Sequence, residues 1–385
     1  MTVQPALEAA LELQPDVAAA ADEIERTQRI PDALVKKLSD SGLLQLYLPR
    51  ALGGRESDPV AAAEAVEALS RADGSVGWCA MLGAAGSMFT GWLPTETGQA
   101  MFPTPGHARL AASARPEGVA RVVEGGYRVN GHWDFASGIS HATFYGGTCR
   151  LINDDGPILS PAGAPETRMM VIPVESLRVE ETWDVVGLRG TGSHDVFVED
   201  AFIPSDQGLR MAGPSQYGGP LFDPRVVTSW IWVANAANSL GIAQGALDAL
   251  TELASQRAST MSPVLLRDRP PVQETLGQAT TIVRAARTYL LDTVSSCWER
   301  AQRDADIALQ EAHLRLAIAH AIHESVRAVD LCFAAAGSNA VYTRNRVERA
   351  FRDIHVAAQH VASAPAQLAA GGRVLLGIDR STGGW

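Results

Sequence analysis

The hydrophobic pattern of this chain changes period twice, and that order limits the fold more than any single motif does. From the start to about residue 110, apolar side chains recur at spacings of three and four, as in Ala6–Leu13 and Asp58–Ala72, which is helical spacing. Pro31 can open a helix over Asp32–Asp40 and Gly42 can end it. From about residue 111 the period falls to two, in Tyr127–Arg128–Val129 and Asp195–Val196–Phe197–Val198, the spacing of strands. Gly125–Gly126 and Asn130–Gly131 read as turns, and Asn-Gly is a hairpin cue. From about residue 225 long helical patterns return over Val233–Arg257, Val272–Asp304 and Ile307–Ala336, with Pro263–Pro271 as a loop. Helices segregated around an antiparallel sheet make an α+β fold. The chain divides into an N-terminal helical domain (1–110), a central antiparallel β domain (111–215) and a C-terminal helical bundle (216–385).

Composition narrows the function. The 385 residues suffice for two or three domains, and 46% hydrophobic content with a mean hydropathy of +0.00 describes a globular chain. No apolar run of about 18 residues indicates a membrane span. The first residues lack the basic and apolar regions of a secretory signal. A net charge of −11 argues against nucleic acid or an anionic membrane as partner. Cys79, Cys149, Cys297 and Cys332 fit neither a zinc site nor a disulfide framework, so free thiols in a reducing cytoplasm are expected.

The motifs follow the same line. No P-loop and no G-x-G-x-x-G after a strand appear, so no nicotinamide fingerprint is present. No H-E-x-x-H and no G-x-S-x-G appear either. His320 and His323 share a helical face without a recognisable ligand set, and they read as structural. Gly187–Leu188–Arg189–Gly190–Thr191–Gly192–Ser193 is either a tight connection or a backbone approach to a flat or phosphorylated ligand. Trp133–Asp134–Phe135–Ala136–Ser137 is either a strand packing its aromatics inward or an aromatic platform ending in a hydroxyl. His355 and His360 are five residues apart, about 140° around a helix, so both cannot line one pocket if the segment is helical.

Several separated segments, taken in order, resemble the acyl-CoA dehydrogenase superfamily. They are Arg29–Ile30–Pro31 with Ser41–Gly42–Leu43 and Gly53–Gly54; Tyr127–Gly131 with Phe135–Ala136–Ser137; Gly187–Ser193 with Val196–Asp200; Leu240–Ala246 with Arg257; and Ala336–Gly337–Ser338 with Arg349, Arg352 and Asp353. Two departures point to a subgroup. The acidic Glu-Pro-x-x-Gly-Ser-Asp run is missing around Ala112–Gly118. The Tyr-Glu of the dehydrogenase base motif is replaced by His360–Val361. Both changes are similar to the oxygenase components of two-component flavin monooxygenases, such as p-hydroxyphenylacetate and secosteroid hydroxylases and indole monooxygenases.

That resemblance implies an acyl-CoA dehydrogenase-like fold with a C-terminal four-helix bundle. It implies an enzyme that takes reduced FMN or FAD by diffusion from a separate reductase. With O₂ it would form a C4a-hydroperoxide and hydroxylate a small aromatic or heteroaromatic substrate. Ser137 would sit at flavin N5, and His360 would face C4a and exchange protons near neutral pH. Phe135, Ala136, Thr191 and Ser193 would contact the flavin. Arg257 would meet its phosphate, with Gly337, Ser338 and Asn339 completing a neighbour's site in a homotetramer. Trp78, Ser113 and Trp232 are the candidate substrate contacts. The alternatives are a dehydrogenase whose base is Glu252, or an inactive flavin-fold binding protein.

Overall fold

The computed structural model describes residues 4–103, 109–211, 213–258 and 263–378. Five helices come first: α1 (Pro5–Thr27), α2 (Asp32–Asp40), α3 (Pro59–Ala72), α4 (Gly74–Phe89) and α5 (Thr95–Met101). Pro31 precedes α2 and Gly42, at φ +73°, follows it, as the sequence predicts. Asp58 and Asp73 cap α3 and α4 by accepting backbone N–H bonds, the ordinary use of Asp at a helix start.

The sheet follows, in eight strands: β1 (Leu110–Val123), β2 (Gly126–Ala136), β3 (Phe144–Asn153), β4 (Gly156–Pro157), β5 (Thr167–Pro173), β6 (Arg178–Glu180), β7 (His194–Pro204) and β8 (Gly208–Leu209). Their order is β6-β7-β2-β1-β3-β5-β8, with β4 also on β3. The sheet is not wholly antiparallel, because β1 and β3 run parallel. Strand β2 turns back on one side of β1, so the chain must cross over before β3 can pair on the other side. The β1–β2 turn is at Gly125, φ +78°. The Asn130–Gly131 pair is not a turn. It lies inside β2 at a register shift against β7, where a Cβ on Gly131 would collide with the Trp133 ring. Glycine is there to admit an indole.

The helices after the sheet are α6 (Val227–Gln256), α7 (Pro270–Gln302), α8 (Ala308–Ala336), α9 (Arg346–Ala357) and α10 (Pro365–Leu375). Strand β5 shows how sheet and helices join. Met169 and Val171 enter the core shared with both helical groups, while Met170 and Ile172 enter the sheet's own core around Trp133 and Tyr145. Alternation with period two thus serves two cores. All four cysteines are buried and free. Among the described residues no helix is long and apolar enough to cross a membrane.

Candidate active site

Strand β2 ends in a kink. Phe135 has φ +57°, a conformation that bulky side chains rarely adopt, and the pairing with β7 slips between Trp133 and Ala136. The slip breaks the alternation that would have put both aromatics on one face. Trp133 is fully buried, with its indole N–H on the Thr148 carbonyl at 3.1 Å. Phe135 is 59% exposed and meets the edge of Trp183, ring centroids 6.0 Å apart. The kink also directs the Ser137 hydroxyl inward.

Ser137 lies in a row of four donors. The Trp78 indole N–H donates to Ser137 Oγ at 3.2 Å. Ser137 Oγ is 2.5 Å from Ser193 Oγ, which is 2.7 Å from Thr191 Oγ1. Thr191 donates to the Leu188 carbonyl at 2.8 Å. A hydroxyl has one proton, so the direction of the row is fixed from its end. Thr191 spends its proton on Leu188, Ser193 must donate to Thr191, and Ser137 must donate to Ser193. Ser137 is left with one free lone pair, so toward a further ligand it accepts. Ala136, Thr191 and Ser193 are themselves buried.

His360 stands on the other side of Trp78, ring centroids 5.8 Å apart and edge-to-face. The segment is not helical as far as His360. Helix α9 ends at Ala357, and His360 caps a short 3₁₀ turn, Val361–Ser363. Its Nδ1 accepts the Ala362 N–H at 3.2 Å, which places the ring proton on Nε2. The turn is tied down by the Ser363 hydroxyl on the His360 carbonyl at 2.8 Å, by Gln367 Nε2 on the Val361 carbonyl at 3.2 Å, and by His323 Nε2, 3.0 Å from the Ser363 carbonyl. Burial lowers the His360 pKa to about 4, so the ring is neutral at pH 7 and does not titrate near neutrality as its free value suggests. His355 leaves the site, pairing with Asp330 at 3.0 Å.

Other expected residues lie elsewhere. Ser113 is on β1, where its carbonyl accepts the Thr148 hydroxyl at 2.9 Å. Trp232 packs under the Arg315 guanidinium, 5.2 Å from ring centroid. Arg315 is paired with Glu311 and bonds Gln367 at 2.9 Å, and Gln367 in turn bonds the Val361 carbonyl of the His360 turn. Glu252 is on the far part of α6, exposed and 3.8 Å from Arg346, and does not join the row at Ser137. Arg257, just past α6, and Gly337–Ser338, just past α8, are exposed. Helices α6 and α8 run side by side with their starts together, Ser229 bonding Glu311 at 3.0 Å, so these residues share one end of the bundle. Gly337 is fourteen residues beyond His323 on α8, about 21 Å at 1.5 Å per residue. Gly337 thus lies about 21 Å along α8 from the histidine that holds the His360 turn.

Sequence reasoning missed His141 and Arg109. His141 is on a short 3₁₀ turn four residues after Ser137, and its carbonyl accepts Arg109 Nε at 2.5 Å. Both border a small cleft with Ser137, Gly138 and Cys79. Burial, then the Arg109 charge, hold the His141 pKa down at about 4. The signal was a histidine one turn past the strand end.

Known proteins resemble the whole chain. The acyl-CoA dehydrogenase N-terminal domain matches residues 8–98 and the acyl-CoA dehydrogenase C-terminal domain matches residues 233–365. An indole-3-acetate monooxygenase of Acinetobacter baumannii is 31% identical over 95% of this chain and 92% of its own. The flavin-dependent monooxygenase oxygenase subunit HsaA of Rhodococcus jostii is 27% identical over 92% and 93%. The structure of XiaF from Streptomyces in complex with FADH2 and glycerol superposes with a TM-score of 0.87 at 25% identity, covering 99% of this chain and 97% of that one.

Proposed function

The chain belongs to the acyl-CoA dehydrogenase family, among its flavin-dependent monooxygenases, and we propose that Ser137 and His360, joined by Trp78, form its oxygenating site. The protein is an oxidoreductase, the oxygenase component of a two-component system, and its cofactor is a reduced flavin. Its substrate is a small aromatic or heteroaromatic compound, and the indole-3-acetate relative puts indole derivatives first among those to try. The reductase supplies reduced flavin by diffusion, which suits a chain with no nicotinamide fingerprint.

One observation carries the assignment of residues: a single indole touches both Ser137 and His360. The residues fit a reduced isoalloxazine. The exposed Phe135 ring and the half-buried Trp183 ring offer apolar surface, and the spare lone pair on Ser137 can accept an N–H, which reduced N5 carries. Bound there, the flavin supplies the electrons that activate O₂. Ser137 holds the N5 proton in place, and keeping that proton opposes loss of H₂O₂. His360 is neutral with its proton on Nε2, so it would donate a hydrogen bond to the reacting oxygen and would accept a substrate proton only in concert with giving that one up. Phosphate recognition falls to Arg257 with Gly337, Ser338 and Asn339, supplied by a second copy in a homotetramer built as a dimer of dimers. A cytoplasmic setting accords with the four free thiols.

The test is to mix protein, separately reduced FMN or FAD, O₂ and an indole derivative, with no NADH. Hydroxylated product from the wild type and H₂O₂ alone from His360→Ala support the reading. Equal product from both removes His360 from the site.

A further inference from the structure

Resting on that assignment of Ser137 and His360, the geometry points to Asp353 as the positioning residue that sets the spacing between them. Ser137, Trp78 and His360 ride on three different elements: the β2 end with its partner turn Gly187–Ser193, helix α4, and the chain leaving α9. Asp353 is buried where the three meet. Its Oδ1 accepts the Leu188 N–H at 2.6 Å. Its neighbour Arg352 donates to the Val186 carbonyl at 2.7 Å. Between those two bonds sits Gly187, where a Cβ would collide with the Arg352 carbonyl. The turn is pressed directly onto the backbone of α9, seven residues before His360.

The same carboxyl abuts α4. A Cβ on Gly74 would lie 3.1 Å from Asp353 Oδ2, so the first turn of the Trp78 helix packs against it. Ser75, one residue on, accepts the Gly190 N–H at 3.2 Å. From Leu188 the turn runs straight to Thr191 and Ser193, which orient Ser137. Asp353 therefore holds the far end of the hydroxyl row, the root of the indole helix and the helix that leads to His360.

The charged groups facing Asp353 are Asp73 at the α4 cap, Glu25 on α1 and Arg352 on α9, with Arg349 on α9 acting on Asp73 and Glu25. Burial, then Asp73, raise its pKa to about 7. A neutral acid or an amide keeps the acceptor that Leu188 needs, so asparagine should substitute for it.

The experiment compares wild type, Asp353→Asn, Asp353→Ala and Gly187→Ala by two readouts. One is amide exchange across residues 188–193, and the other is product and H₂O₂ per reduced flavin oxidised, with indole-3-acetate as probe. Asp353→Ala and Gly187→Ala are expected to speed exchange of those amides at least tenfold and to shift turnover from product to H₂O₂, with Asp353→Asn like wild type in both. Gly187→Ala keeps the carboxyl, so the comparison survives if Asp353→Ala folds poorly. Wild-type partition in Gly187→Ala despite faster exchange would overturn the proposal, as would Asp353→Asn failing as badly as Asp353→Ala. A wild type that makes no product fails the functional reading instead, and then the exchange data alone decide whether Asp353 pins the turn, unchanged exchange in both loosened variants overturning it.

Discussion

The end of the molecule that carries His360 is closed by its own side chains, whereas the end that carries Arg257 and Gly337–Ser338 lies open. At the closed end, Trp78, Ser137, Ser193 and Thr191 form one directed row, and the His360 turn is held by Ser363, Gln367 and His323. At the open end Arg257 is exposed. The difference teaches a division of labour. On the assignment proposed above, chemistry that needs preorganised donors is built inside one chain, while an exposed guanidinium that needs only a phosphate within reach is left for a second copy's flavin.

The comparison breaks first at His360. His360→Ala should keep flavin binding and lose about 10²- to 10⁴-fold in product formation, the usual range for one proton-transfer group. Steady-state product yield checks it, and near-wild-type yield would make the closed end inert.

At the open end, Arg257→Ala should weaken reduced-flavin binding by about 10- to 150-fold. That is the cost of a charge-assisted hydrogen bond at about 1.5–3 kcal/mol. If the second copy completes the site, wild-type affinity should fall in the same way as the protein is diluted to monomers. Flavin titration alongside sedimentation separates the two ends: a monomer with full affinity would mean one chain suffices.

A smaller effect is expected at Ser137. Ser137→Ala removes one hydrogen bond of about 1 kcal/mol, so H₂O₂ released per product should rise about fivefold while binding changes little. Peroxide yield equal to wild type would leave Ser137 a plain strand residue.

The mildest test is acid stability. His360 and His141 have folded pKa values of about 4, below the ordinary 6.5. The stability associated with their neutral forms is complete above pH 6.5 and is lost as pH falls through 4. Melting temperature should therefore fall less between pH 7 and pH 4.5 in His360→Gln than in wild type. Asp353 has the opposite sign, since its raised pKa favours the protonated form. Asp353→Asn should be at least as stable as wild type at pH 8.

The helical and strand periods located α1, α3, the long helices α6, α7 and α8, and parts of β2 and β7, because burial on one face leaves a periodic trace in sequence. Asp32–Asp40 was legible to the residue through Pro31 and Gly42. What stayed hidden depended on partners far along the chain. The parallel β1–β3 pair is a matter of crossover, and the role of Asn130–Gly131 as a strand bulge is set by the Trp133 ring. Within the site, Ser137, His360 and Trp78 were named from the sequence, yet nothing in it said that Trp78 joins the other two. The neutral state of His360 was equally hidden, because burial and not local sequence sets it. The Gly187–Ser193 run read either as a tight connection or as a ligand approach, and at Gly187 and Gly190 the space is filled by Arg352 and Ile24, which makes those two glycines packing positions.

The most direct measurement follows oxygen itself. Wild type and His360→Ala are each mixed anaerobically with separately reduced flavin and indole-3-acetate or a second indole derivative, then exposed to ¹⁸O₂ without NADH or reductase. The account predicts one ¹⁸O atom in the wild-type product for each molecule hydroxylated, and labelled H₂O₂ with little product from His360→Ala. Label incorporation that is the same in both proteins, or a wild type that turns over only when NADH is added to the isolated chain, would contradict it.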